Sequence, residues 1–181
     1  MDSTSILASL QQSVPAAGLE AAASRDLHST IYVSREEMPD VARVLRDHPD
    51  LGFGLLVEVT AVDFWPREPR FEVIYTLVSL EHRARVRLKV RLGGDDAHVG
   101  TVSGIWPAAN WLEREVWDLF GIRFDGHPDP RRLLMPEDWE GFPLRKDYPV
   151  QIKMAARTTE PLQVTEEQFR ANVEKDRLAR R

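Results

Sequence analysis

Three carboxylates, Glu113, Glu115 and Asp118, fall within two turns of one predicted helix. Acids grouped this closely are the raw material of general acid/base chemistry. The same stretch also supplies charges that would hold them still. Acids in a first helical turn favour the helix dipole. Arg114 precedes Asp118 by four residues, the spacing of an intrahelical ion pair. Arg123, Arg131 and Arg132 add counter-ions. A structural or docking network therefore accounts for these groups better than catalysis. A stand-alone hydrolase using Glu113 and Glu115 is the remote alternative, because no Ser/His/Asp motif stands in a recognisable context beside them.

His127 lies between Asp125 and Asp129, a set that could suggest a metal. Without a further His or Cys nearby it is too poor for zinc. A turn at His127-Pro128, with Asp129 bonding the backbone ahead, is the simpler expectation. The chain has no cysteine. That excludes disulfides, thiolate zinc sites and any ordinary iron–sulfur cluster held by this chain alone. Gly93-Gly94 has neither the spacing nor the following helix of a dinucleotide loop.

Arg85, Arg87, Lys89 and Arg91 make a basic stripe. It fits an acidic partner, a nucleic acid, or simply the solvated face of a sheet with Glu72 opposite Arg91. A net charge of −5 argues against a general phosphate-backbone binder. Trp106, Trp111, Trp117 and Trp139 are four of the five tryptophans. Their clustering suits interface anchors and a core lid equally.

The elements that must position these groups are legible from periodicity. Ser3 to Val14 suits a short helix with Ile6, Leu7, Leu10 and Val14 on one face. Thr30 to Val33 reads as a strand. Ser34-x-x-Glu37 reads as a capping box opening a helix through Met38, Val41, Ala42 and Leu45. Phe53–Phe64, Phe71–Leu80 and Arg85–Leu92 read as strands. In the last of these Val86, Leu88, Val90 and Leu92 alternate with the basic residues, which implies an antiparallel sheet covered on one side. Pairing Phe71, Val73, Tyr75 and Leu77 with Leu92, Val90, Leu88 and Val86 puts all eight on one face, and a slip of one residue breaks the match. A helix capped by Asn110-x-x-Glu113 carries Leu112, Val116, Leu119 and Phe120, and ends with Gly121 as its left-handed cap.

From Gly121 to Pro161 periodicity fades and proline is frequent, yet Phe124, Leu133, Leu134, Met135, Trp139, Phe142 and Tyr148 need burial somewhere. A proline-stiffened arm lying on another protein satisfies both facts. Thr165-x-x-Gln168 caps a charged terminal helix with a thin stripe of Phe169, Val173 and Leu178. The expected organisation is an α+β domain over residues 1–122, a mainly antiparallel sheet covered by helices, followed by an extended partner-binding arm and C-terminal helix over 123–181. Asp2 and the lack of a basic n-region speak against a secretory leader. No apolar run approaches the roughly 20 residues of a membrane span. A soluble cytoplasmic chain, reaching a membrane only through partners, is expected.

Glu113 to Pro149 reads EREVWDLFGIRFDGHPDPRRLLMPEDWEGFPLRKDYP. This run resembles the signature of the thirty-kilodalton subunit family of respiratory complex I, the NADH:quinone oxidoreductase of bacteria. The matching pieces are Glu113-Arg114-Glu115, Asp118-Leu119-Phe120-Gly121, Gly126-His127-Pro128-Asp129, Arg131-Arg132-Leu133-Leu134 and Gly141-x-Pro143-Leu144-Arg145-Lys146-Asp147-Tyr148-Pro149. Pro130 departs from the family's usual leucine and fixes φ there.

The resemblance implies a scaffold subunit of the peripheral arm, on the cytoplasmic face of the inner membrane. FMN and iron–sulfur clusters would reside in partner subunits, and this chain would hold no cofactor. Its neighbours would be the quinone-site large subunit and cluster-bearing subunits. Glu113, Arg114, Glu115, Asp118, His127, Asp129, Arg131, Arg132, Trp139, Arg145, Lys146 and Asp147 are the motif residues expected to serve partner binding. An equivalent subunit of a membrane-bound hydrogenase or ferredoxin-linked complex is the alternative.

Overall fold

In the computed structural model, which describes residues 3–23, 26, 28–149 and 165–179, the hairpin takes the register that burial demands. Strands β4 (Phe71–Ser79) and β5 (Ala84–Leu92) pair antiparallel. Phe71 faces Leu92, Val73 faces Val90, Tyr75 faces Leu88 and Leu77 faces Val86. All eight side chains are buried. Each is worth about 1.5–3 kcal/mol relative to exposure, so the in-register hairpin is strongly preferred over its one-residue slip. The connection runs through residues 80–83, with Arg83 in the left-handed region at φ 49°.

Strand β3 (Leu55–Asp63) adds antiparallel to β4, with a bulge between Leu56 and Glu58. On the other side β2 (Ser29–Tyr32) pairs parallel with β5, and the short β1 (Glu20–Ala22) closes the sheet antiparallel to β2. The sheet order is β1-β2-β5-β4-β3. Helix α1 (Ser3–Ser13) contributes Ile6 and Leu10 to the core, and α2 (Met38–Asp47) contributes Met38, Val41, Ala42 and Leu45. Helix α3 (Ala109–Phe120) packs along β3 and buries Ala109, Val116 and Phe120. A second, two-stranded parallel sheet joins β6 (His98–Gly100) to β7 (Arg123–Asp125). The chain is thus α+β, with a mainly antiparallel sheet. No helix among the described residues is long and apolar enough to cross a membrane.

Both predicted capping boxes of the domain are displaced. Helix α2 starts at Met38, after a turn over residues 35–37, and Ser34 Oγ is buried without a hydrogen-bond partner among the described residues. Pro39, which lacks an N–H and has helical φ, suits the first turn and sets the start there. Helix α3 begins at Ala109 because the carbonyls of Pro107 and Ala108 already accept the first helical amides. Asn110 is therefore inside the helix, and Glu113 is free to turn inward. Gly121 ends the helix as expected, at φ 71°, with its N–H donated to the Trp117 carbonyl.

The domain boundary also moves. The first compact unit runs to Tyr148, not to 122, and Pro149–Arg181 form a second unit. Phe124 is buried in this unit, and Leu133, Met135, Trp139, Phe142 and Tyr148 are partly covered, whereas Leu134 and Leu144 stay exposed. In the second unit α4 (Glu166–Ala179) opens with the expected reciprocal cap. The Thr165 amide donates to Gln168 Oε1 at 3.2 Å, and the Gln168 amide donates to Thr165 Oγ1 at 3.3 Å. Phe169 is exposed. Residues 150–164 of the predicted arm, and the side chains of Val173 and Leu178, lie outside the described residues.

The basic stripe is not bare. Arg87 pairs with Asp26 at 2.8 Å and Lys89 with Glu72 at 2.9 Å. Arg91, the register partner of Glu72, instead stacks over Tyr32 at 3.6 Å and reaches Glu20.

Candidate functional site

The signature residues converge where α3 meets the segment that follows it. Asp118 sits at the centre, fully buried on α3. Its Oδ2 accepts three consecutive backbone amides, Leu133 at 3.0 Å, Leu134 at 2.7 Å and Met135 at 2.8 Å. Its Oδ1 takes Arg132 Nη1 at 2.6 Å. Burial alone would raise this carboxyl's pKa. The Met135 amide, the Arg132 guanidinium and the Leu134 and Leu133 amides outweigh it and hold the carboxyl below the usual range. An ionised Asp118 therefore fixes a loop that has no regular structure of its own.

Arg132 extends the junction. Its Nη2 donates to the carbonyls of Trp139 at 2.9 Å and Gly141 at 3.2 Å, and its plane lies over Trp117 and Phe142. Arg114 does the same one turn earlier, donating to the carbonyls of Arg131 at 3.0 Å and Arg132 at 3.1 Å and pairing with Asp129 at 3.3 Å. The expected Arg114–Asp118 pair does not form, because each partner is engaged across the junction rather than along the helix. Arg131 clamps Asp129 with bonds of 2.6 and 2.8 Å, and this holds the Asp129 carboxyl down to about 2. Arg145 caps the far end of α3, donating to the carbonyls of Phe120 and Gly121. Those are groups that a helix C-terminus leaves unsatisfied. The Leu144 amide bonds the Leu119 carbonyl at 3.0 Å. A Cβ on Gly121 would lie 2.4 Å from the Phe142 ring, so only glycine lets the segment close on the helix.

Asp147 and Lys146 make a second latch, which spacing along the chain did not reveal. Arg70, ahead of β4, forks onto Asp63 at 3.0 and 2.9 Å and onto Asp147 at 3.1 and 2.7 Å. The Lys146 amide donates to Asp63 Oδ2 at 2.8 Å. Desolvation opposes the charge on Asp63, but Arg70 and the Lys146 and Trp65 amides bring its pKa down to about 2. The signal available in the sequence was a lone acid ending an apolar strand and an arginine opening the next. Their partner eighty residues on leaves no mark in local pattern.

Trp139 stacks on Tyr148 with ring centroids 6.4 Å apart, and the Tyr148 hydroxyl donates to the Glu140 carbonyl. Of the other tryptophans, Trp106 is buried with its indole N–H on the Phe53 carbonyl, whereas Trp111 is 60% exposed. The tryptophan cluster therefore divides between core and surface. Glu115 is half-buried and makes no ion pair among the described residues.

Glu113 and His127 face each other under the helix. Glu113 is fully buried and accepts the Val102 amide at 2.7 Å and the Thr101 hydroxyl. His127 accepts the Asp129 amide on Nδ1 at 3.0 Å and stands 3.1 Å from the Asn110 carbonyl through Nε2. An amide can only donate, so Nδ1 holds a lone pair and Nε2 carries the proton. The expected turn is present: the Asp129 carboxylate accepts the Arg131 amide ahead of it, and the His127 ring accepts the Asp129 amide.

Residues 31–153 match the family model described as respiratory-chain NADH dehydrogenase, 30 Kd subunit. The chain is 47% identical over 159 residues to the C subunit of the NADH-quinone oxidoreductase of Roseiflexus sp. (strain RS-1), covering 87% of this chain and 90% of that protein. Among solved structures it is similar to a trypsin-resistant fragment, residues 1–134, of Nqo5. There the TM-score is 0.55 at 31% identity, over 71% of this chain and 99% of that one. It is also similar to a chain of the membrane-bound sulfane sulfur reductase, an archaeal respiratory membrane complex. That match has a TM-score of 0.67 at 26% identity, over 90% of this chain and 96% of that one.

Proposed function

Because the chain belongs to the 30-kilodalton subunit family of respiratory-chain NADH dehydrogenase, we propose that it is a non-catalytic scaffold in the peripheral arm of a proton-translocating NADH:quinone oxidoreductase. The observation that carries this reading is how the signature is used. Asp118, Arg114, Arg132 and Arg145 tie one segment to one helix, each engaged by backbone groups. Groups so thoroughly bonded hold shape.

In this reading FMN and iron–sulfur clusters belong to partner subunits, consistent with a sequence that offers no thiolate. The quinone-site large subunit and a cluster-bearing subunit are the neighbours, on the cytoplasmic face of the cell membrane. The junction fixes the surface those neighbours meet, including the exposed Trp111, Leu134 and Leu144. Large apolar groups left at a surface are the usual anchors of a protein interface.

The test is Arg132→Ala in cells, with complex content read from native gels and quinone reductase activity divided by that content. Complex content falls, and turnover per assembled complex stays near normal. Normal content with severely reduced turnover would overturn the scaffold role and point to a catalytic one. The similarity to the archaeal complex favours a second reading, an equivalent subunit in a related membrane-bound complex with another electron donor. Purification through a tag on this chain separates the two, since only the first brings down an NADH-oxidising flavin module.

A further inference from the structure

Glu113 is a fully buried acid of the signature that, among the described residues, anchors no arginine or lysine. Its two hydrogen bonds come from neutral donors, the Thr101 hydroxyl and the Val102 amide. Among the described residues no arginine or lysine is bonded to it, although Arg114, Arg123 and Asp125 line the same cavity. From the turn after β7, His127 Nε2 stands 3.8 Å away, with Nδ1 accepting the Asp129 amide. From its own helix, Arg114 is turned onto Asp129 and the carbonyls of Arg131 and Arg132. From β4 comes the Tyr75 hydroxyl, fully buried and without a hydrogen-bond partner among the described residues. Burial, and after it the charge of Glu113, push that phenol well above its usual range. An ionised carboxylate here would be desolvated and uncompensated, the costliest state for a buried acid.

A path to solvent is present. Thr101 Oγ1, bonded to Glu113, is 2.8 Å from Ser103 Oγ and accepts the Ser103 amide at 3.1 Å. Both hydroxyl residues are partly exposed and line an open cleft of about 560 Å³. A single threonine hydrogen cannot serve Glu113 and Ser103 together, so the direction of the chain depends on where the proton lies. With Glu113 neutral, the acid donates to Thr101 and Thr101 donates to Ser103. With Glu113 ionised, Thr101 donates to the carboxylate and Ser103 donates to Thr101.

We propose that Glu113 is a proton-binding site in the folded subunit, connected to the surface cleft by Thr101 and Ser103, and that loss of its proton loosens the joint between the 101–103 turn and α3. The transfer balances atom for atom. The Glu113 proton passes to Thr101 Oγ1, the Thr101 proton to Ser103 Oγ, and the Ser103 proton to water. The relay itself leaves the Thr101 hydroxyl donating to the carboxylate and the Ser103 hydroxyl donating to Thr101. Desolvation raises the Glu113 carboxyl from the usual 4.5 to about 7 against the pull of Thr101 and Val102, so the exchange falls near neutrality. The acid's folded value lies above its unfolded one. Stability is therefore retained at acid pH and lost as pH rises from about 4.5 toward 7.

The experiment uses the full chain with 13C-carboxyl-labelled glutamate. One glutamate carboxyl titrates near neutrality, and Glu113→Gln removes that resonance. Thr101→Val, which withdraws a bond from the charged form, moves the titration upward. In parallel, the wild-type unfolding constant rises on the order of 50-fold between pH 5 and pH 8 through this group, and the variant Glu113→Gln loses that component. All glutamates titrating below pH 5 would overturn the site. A near-neutral carboxyl whose midpoint Thr101→Val leaves unmoved would overturn the chain. Should Glu113→Gln fail to fold, the wild-type titration and the Thr101→Val shift decide the matter alone.

Discussion

Replacing Asp118 with alanine should be among the most damaging single changes to this domain. The carboxylate is completely buried and serves four donors, the amides of Leu133, Leu134 and Met135 and the guanidinium of Arg132. Removing it strands Arg132, whose side chain is only 14% exposed. Breaking one side of a buried pair costs roughly 3–5 kcal/mol. The three amides lie in a partly exposed loop, so water replaces some of their bonds and they add only about 1 kcal/mol in total. The expected loss is about 4–6 kcal/mol, against about 5–15 kcal/mol for a whole domain. Urea denaturation of the full chain, followed by tryptophan fluorescence and circular dichroism, measures it. Asp118→Asn should cost nearly as much, because its NH2 faces donors where an acceptor is required. A loss below about 1 kcal/mol for the alanine variant would refute the view that this carboxylate holds the segment in place.

Other consequences concern the second latch, the helix end and the chain boundary. The carboxyl of Asp63 is held at about 2 against an ordinary 3.8, so it contributes stability above pH 4 that is lost as pH falls toward 2. Asp63→Asn should remove roughly 2 kcal/mol of acid sensitivity, read as a flatter limb in acid titrations of thermal stability. Gly121→Ala combines a left-handed backbone with a clash against Phe142, and should cost about 2–4 kcal/mol by chemical denaturation. A chain ending after Tyr148 should keep a cooperative thermal transition, whereas one ending after Gly121 should lose it, since Asp118, Arg114 and the end of α3 are stripped of partners. A cooperative transition in the shorter chain would mean the junction is dispensable.

That last expectation reverses what composition suggests. Proline-rich, aperiodic sequence with unburied aromatics reads as an arm for another protein, because neither helical nor strand periodicity reports a segment held by side chain-to-backbone bonds. Leu133, Leu134 and Met135 are ordered by one carboxylate on a helix that precedes them by fifteen or more positions. Sequence separation of that kind leaves no local trace. The same limit explains the intrahelical Arg114–Asp118 pair that did not form. The spacing was right, but better partners were available across the junction.

Where the determinants are local, the sequence was sufficient. The alternation in Val86, Leu88, Val90 and Leu92 fixed the hairpin register, because side chains on a strand have period two and only one register buries both apolar rows. Gly121 marked the end of α3, since a left-handed residue there is strongly favoured to be glycine. The run from Glu113 to Pro149 identified the family. Tertiary structure alone decided that Asp63, Arg70 and Asp147 form one cluster, and that Glu113 takes no arginine or lysine partner among the described residues while Arg114 and Asp118 beside it are paired. Those outcomes depend on desolvation and on the direction in which a side chain leaves its helix. Both are properties of the packed chain, since charge and spacing say nothing about which carboxylate will lose its water.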